Sequence, residues 1–222
     1  MSPIEVETGP MFSGKTRALL DYAEKLIVAG DTQGIDFLVF NHFSDTRYGE
    51  NVIGSHGHIT LDAIAAQSSK DIFEALFNLD EHNNVTLKEG RNDLNNILVD
   101  EAQFFDKQLG QVLQYIDFYY HDVLGQNINI VCAGLDLDFK REPFKTMADL
   151  LARADKVNKF TAVCKQCPKK TPLNARYSQR FKDGKPAEYS DQKFLVSAVE
   201  KYTARCKDHH ELTGVPVPHF ED

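Results

Sequence analysis

The run Gly9-Pro10-Met11-Phe12-Ser13-Gly14-Lys15-Thr16 obeys the pattern GxxxxGK[ST] and stands between a short apolar segment and an amphipathic one. Glycines let successive backbone N–H groups curl toward one point. Lys15 then reaches β- and γ-phosphates, and the Thr16 hydroxyl lies ready for Mg²⁺ at the positive end of the next helix. Ile4-Glu5-Val6 before the loop alternates as a strand does, and Ala18, Leu19, Tyr22, Leu26 and Ile27 after it recur at helical spacing. A glycine turn beside a solvated lysine is the bland alternative, and this context opposes it. The loop therefore predicts an α/β fold that binds a nucleoside triphosphate.

Composition narrows the partners. The 222 residues allow one domain or one and a half, with 42% hydrophobic residues and a formal charge of −8. That charge argues against general affinity for nucleic acid or acidic membrane surfaces, whereas a small nucleotide feels only the local field of its loop. No apolar run has the length of a membrane helix, and the N-terminus lacks the layout of a signal peptide, so a cytoplasmic address is expected. Four cysteines in a chain this size do not make a secreted disulfide framework.

To about residue 160, short apolar runs alternate with amphipathic stretches, the signature of a mostly parallel sheet flanked by helices. Strands are expected before the phosphate loop, at Ile35 to Asn41, Asn96 to Asp100 and Asn127 to Ala133. Helices are expected at Lys15 to Ala29 with Gly30 as the stop, Lys70 to Asn78, Lys107 to Leu124 and Thr146 to Ala154. Residues 1–160 thus read as an ATP-binding domain, 161–212 as a small unit too poor in apolar residues to hold itself, and 213–222 as a loose tail.

The small unit carries its own staple. Cys164-Lys-Gln-Cys167 is answered roughly forty residues later by Cys206-Lys-Asp-His209, and three thiolates with one imidazole are a closed set for structural Zn²⁺. A redox CxxC competes, but it would open a helix beside a strand. His210 neighbours His209 and is open as the alternative ligand. Cys132, within an apolar run, reads as a small buried hydrophobe.

Asn96-Ile-Leu-Val-Asp100-Glu101 ends an apolar strand in two carboxylates. Asp100 fits the Mg²⁺-holding aspartate of phosphate-loop proteins, and Glu101 would face whatever lies beyond the γ-phosphate. Water as the nucleophile would make an ATPase, and a substrate hydroxyl a kinase. Asp45-Thr46-Arg47-Tyr48 follows the second strand, its arginine suited to phosphate unless it is merely an exposed ion pair. Leu135, Phe139 and Phe144 surround Asp136, Asp138, Lys140 and Arg141, a mixture that suits a flat heterocycle beside phosphates and that core packing would explain equally.

Taken in order, GPMFSGKT, SDTRYG, DEAQFF, GLDLDFKREPF and the late Cys/Cys/Cys/His set resemble the type II thymidine kinases, collinearly over nearly the whole chain. The resemblance implies a RecA-like phosphate-loop domain with a zinc-anchored lasso, using ATP and Mg²⁺ to phosphorylate the 5′-hydroxyl of thymidine. It implies Glu101 as proton acceptor, the loop from Gly9 to Thr16 with Asp45, Thr46, Arg47 and Gln103 around the phosphates, and Thr16 and Asp100 at magnesium. Met11, Phe104, Leu135 and Phe139 match positions enclosing the base, joined by Ser178, Val196, Ser197 and Tyr202 from the lasso. Ser197 stands where the family commonly has glycine, and Ser178 follows a longer run after Cys167, which leaves deoxyuridine open as a second acceptor. A homotetramer and inhibition by thymidine triphosphate are implied as well. The rival is a RecA-like ATPase whose zinc unit binds a partner or nucleic acid through Lys165, Lys169, Lys170, Arg176, Arg180 and Lys182.

Overall fold

The computed structural model describes residues 4–33, 35–45, 49, 51–54, 59–168, 174–193, 202–218 and 220. Thr46, Arg47, Lys169, Lys170, Val196 and Ser197 lie outside the described residues.

Strands β1 (Ile4–Thr8), β2 (Asp36–His42), β3 (Ile64–Ala66), β4 (Leu94–Asp100), β5 (Asn129–Gly134) and β6 (Lys156–Lys159) make one six-stranded sheet in the order β6-β1-β5-β4-β2-β3. Every pairing is parallel. Helix α1 (Lys15–Gln33) covers one face through Leu19, Leu20, Ala23 and Leu26, which pack with Val39, Leu98, Val131 and Ala133. Helices α2 (Ser69–Leu76), α3 (Leu109–Phe118) and α4 (Lys145–Arg153) contribute Ile72, Leu113, Met147 and Leu150 to the core on the other face, with Val6, Ile97, Val99 and Ile130. Successive side chains of a strand point to opposite faces, so Ile97 and Val99 enter one core and Leu98 the other. Two covered faces require the continuous apolar runs seen in β4 and β5. Cys132 belongs to this core, and burial pushes its thiol up to about 12.

The elements depart from expectation where local signals are weak. Gly30 does not end α1, which continues to Gln33. Its role is close packing, since a Cβ there would lie 3.0 Å from the Ile35 carbonyl oxygen. Helix α2 stops at Leu76 because Phe77–Leu79 turns into a hairpin with Val85–Leu87. The stretch after α3 winds as a π-helix at Tyr119–Val123. Strands β3 and β6 were not expected. One is the three-residue segment Ile-Ala-Ala, too short to stand out, and the other is the polar edge segment Lys-Val-Asn-Lys.

Beyond β6 the architecture turns antiparallel. Ala162–Val163 pairs with Asn174–Ala175, while β7 (Tyr177–Lys182) lies between Lys185–Pro186 and β8 (Tyr202–Arg205). The buried apolar cluster here is Ala162, Cys164, Ala175, Ala204 and Cys206. Such small side chains bury little area, on the order of 1 kcal/mol or less each at ~25 cal/mol per Å², so this part needs another source of stability. Among the described residues no helix is long and apolar enough to cross a membrane.

Candidate active site

Parallel strands deliver their carboxyl ends to one edge, and the loops there build the site. The loop after β1 bends with Gly9 at φ 148°, Phe12 at φ 63° and Gly14 at φ 93°. Gly9 is dictated by space as well, because a Cβ would lie 2.5 Å from the Phe160 carbonyl oxygen. Lys15 Nζ donates to the Pro10 carbonyl oxygen at 2.8 Å, which holds the ammonium folded over the loop. The Ser13 hydroxyl oxygen is buried with no hydrogen-bond partner among the described residues, as suits a group that awaits an anionic ligand. Met11 N–H is already engaged, donating to Ser178 Oγ of β7 at 3.0 Å, so the phosphate loop and the antiparallel segment are joined directly.

Asp100 ends β4. Its Oδ1 accepts from the Thr16 hydroxyl at 3.3 Å and from the Glu101 N–H at 2.9 Å. A hydroxyl at the start of α1 and a buried carboxylate thus share one point, and both are oxygen donors of the kind magnesium takes. Glu101 adopts a left-handed conformation, φ 51° and ψ 37°, and opens the 3₁₀ turn Ala102–Phe104. A non-glycine residue held there is uncommon and marks functional sites. Gln103 explains its aim. The buried amide donates from Nε2 to Glu101 Oε2 and accepts the Leu135 N–H on Oε1 at 2.8 Å. Gly134 makes room for it, since a Cβ would lie 2.8 Å from Gln103 Oε1 and 2.7 Å from Met147 Sδ.

The other expected site residues that the structure describes fall on this same edge or on the antiparallel segment. Phe104 is half-buried with its ring 5.8 Å from that of His42, and His42 also meets Phe105 edge-on at 5.0 Å. His42 Nδ1 and Ser44 Oγ are 2.7 Å apart, and burial lowers the imidazole's pKa. Asp45 lies beside them, lining with Asn41, His42 and Ser44 a cavity of about 380 Å³. Phe139 is buried under the Arg180 guanidinium, 5.2 Å above its ring, a cation–π arrangement. Tyr202 is half-buried opposite Arg180 in the β7–β8 pairing. Nothing in the local pattern marked His42, whose place is given by packing alone.

Cys164, Cys167, Cys206 and His209 form a cluster whose ligand atoms all lie within 4.8 Å of one another. Sγ of Cys167 and Cys206 are 3.8 Å apart, and His209 Nδ1 is 3.6, 3.5 and 3.2 Å from the three sulfurs. With Zn–S near 2.3 Å and Zn–N near 2.0–2.1 Å, a tetrahedron has edges of about 3.8 Å between sulfurs and about 3.5 Å from nitrogen to sulfur. The cluster therefore has the shape of a zinc site. His209 is the fourth member and His210 is not. His210 is buried, its Nδ1 accepts from Arg141 Nε at 3.1 Å, and burial followed by the Arg141 charge pushes its pKa down to about 4.

Three members of the basic run, Arg176, Arg180 and Lys182, have partners within the chain. Arg176 and Lys159 hold Asp136 at 2.7 and 3.1 Å, Lys182 holds Asp191 at 2.5 Å, and Arg180 covers Phe139.

The family model described as "TK: Thymidine kinase" matches residues 2–210. The chain belongs to the thymidine kinase family. A thymidine kinase of Deinococcus deserti is 36% identical over 211 residues, covering 95% of each chain. One of Coprothermobacter proteolyticus is 33% identical over 219 residues, covering 99% of this chain and 96% of its own. Among solved structures, a Bacteroides Pif1 bound to single-stranded DNA overlaps 62% of this chain and 29% of its own at 14% identity, with a TM-score of 0.36, a likeness too slight to bear on function. Membership in this family makes the chain an ATP-dependent kinase, a transferase of nucleotide salvage.

Proposed function

We propose that this protein transfers the γ-phosphoryl group of ATP to the 5′-hydroxyl of thymidine, with deoxyuridine as a second acceptor. The observation that carries the reading is a carboxylate aimed by a buried amide at the end of β4, next to a phosphate loop, in a chain that aligns with thymidine kinases over nearly its full length.

The backbone amides of residues 12–16 and Lys15 hold the phosphates, and Asp45, Thr46 and Arg47 are assigned to the same phosphate site, with Arg47 serving the transferring group. Thr16 and Asp100 would hold Mg²⁺, which when bound neutralises charge on the β- and γ-phosphates. Glu101 accepts the proton of the 5′-hydroxyl as the O5′–Pγ bond forms, and the bond from Pγ to the bridging β–γ oxygen breaks to release ADP. Phosphoryl transfer asks the protein for position and charge stabilisation more than covalent chemistry. Gln103 supplies position by fixing Glu101 relative to Leu135. Met11, Phe104, Leu135, Phe139 and Tyr202 enclose the base, with Ser178, Val196 and Ser197 along its edge. The division at residues 160 and 212, a homotetramer, inhibition by thymidine triphosphate and a cytoplasmic location belong to the same reading.

The test is formation of thymidine monophosphate from ATP and thymidine by purified protein with Mg²⁺, with deoxyuridine, deoxycytidine and deoxyadenosine in parallel. Product from thymidine and little ATP loss without a nucleoside is the expected result. Equal ATP hydrolysis with and without nucleoside would refute the proposed acceptor.

A further inference from the structure

The hairpin between Leu137 and Pro143, which pair across it, places Phe139 against Arg180. Asp138 closes it, its Oδ1 accepting the N–H groups of Lys140 at 2.8 Å and Glu142 at 3.0 Å. Arg141 in this turn has φ 66°, a conformation that favours glycine and that a long side chain occupies only under constraint. The constraint is visible. The guanidinium donates from Nε to His210 Nδ1 and from Nη2 to the His210 carbonyl oxygen, both at 3.1 Å, and stacks 4.5 Å above the Tyr177 ring. His210 directly follows the zinc-ligand position His209, and Tyr177 directly precedes Ser178, which binds the phosphate loop at Met11.

We infer that Arg141 is a positioning residue for the nucleoside, a fork that fixes the Phe139 turn to the metal knuckle and so couples thymidine affinity to zinc retention. The inference rests on the thymidine kinase reading and on a zinc-loaded cluster. The fork has two parallel donors and a flat face, which an ammonium cannot reproduce. Displacing the knuckle displaces His210, frees the turn and moves the ring that walls the base. Linkage requires the converse, so a nucleoside that holds the turn also slows loss of the metal.

The test uses the zinc-loaded full chain as wild type, Arg141→Gly and Arg141→Lys. Glycine suits φ 66° and removes the fork without strain, so a residue with only a local structural role would leave KM unchanged. The expected result for Arg141→Gly is a thymidine KM raised about tenfold with kcat and the ATP KM within about twofold of wild type, the signature of lost nucleoside positioning. Zinc release to a chromogenic chelator should quicken several-fold in the variant, and saturating thymidine should slow it in wild type only. Arg141→Lys should resemble the glycine variant. Unchanged thymidine KM and unchanged zinc release in Arg141→Gly would overturn the inference, as would full rescue by lysine or an equal rise in the ATP KM. Were the wild type inert toward thymidine, the kinase reading would fall, while the zinc-release comparison would still decide whether Arg141 secures the knuckle.

Discussion

At the scale of single residues, two positions carry the most specific expectations. Glu101 sits in a left-handed turn with its carboxylate held by Gln103, which Leu135 anchors in turn. Replacing it with glutamine keeps the shape and removes the proton acceptor. We predict a fall in kcat of about 10²–10⁴-fold, with ATP affinity within about twofold of wild type by calorimetry. A kcat within a factor of three of wild type would remove Glu101 from the reaction. Gly9 is constrained by φ 148° and by a carbonyl oxygen 2.5 Å from any added Cβ. Gly9→Ala should cost about 1–3 kcal/mol in urea unfolding and weaken ATP binding, because the displaced group is backbone of the Phe160 segment and cannot swing aside.

Among the elements, the antiparallel segment depends most on something other than apolar burial. Its buried cluster is alanine and cysteine, so cross-linking by metal replaces a core. Stripping zinc with a chelator, or Cys206→Ser, should lower the melting temperature by roughly 5–15 °C, the effect of a few kcal/mol on a chain of this size. An unaltered melting curve after verified metal removal would show that hydrogen bonds alone hold the segment. Helix α2 shows the same reliance on distant partners. Its N-terminus is held by Asp106, whose carboxylate accepts from Ser69 N–H and hydroxyl at 2.8 Å. Burial raises the Asp106 pKa, but these bonds outweigh it and leave the carboxyl below its ordinary value.

For the whole molecule, pH reports how the two parts are joined. Asp136 bridges Lys159 of β6 and Arg176 just before β7; burial raises its pKa, and the two cations overcome that and lower it. A lowered carboxyl contributes stability in full above its unfolded value near 3.8, and loses it as pH falls through the native value. His42 and His210 act earlier. Burial lowers both, so below about 6.5 the unfolded chain takes up protons that the folded chain refuses, and stability declines until the native values are reached, about 4 for His210. The urea midpoint should therefore fall in two stages on acidification. His42→Gln should shrink the first stage to the share of His210, and Asp136→Asn should flatten the second. A wild-type midpoint constant from pH 7 to 4.5 would contradict the first assignment. Light scattering tests the proposed tetramer, and a monomer at micromolar concentrations would exclude it.

The phosphate loop, the Asp100-Glu101 pair and the cysteine spacing were legible in the sequence because each is a local requirement. Backbone amides must converge, a strand must end in carboxylates, and two ligand pairs must close a tetrahedron. Strands β4 and β5 were legible because burial on both faces writes an unbroken apolar run. Contacts between distant residues were not legible, since no local pattern encodes them. Gly30 has the composition of a helix stop and proved a packing site, β6 is a strand only because β1 offers it an edge, and of the two adjacent histidines His209 meets the cysteines while His210 meets Arg141. Local stereochemistry thus determined the chemistry this protein carries. Only the folded chain, by bringing residues together across long stretches of sequence, decided which side chains aim it.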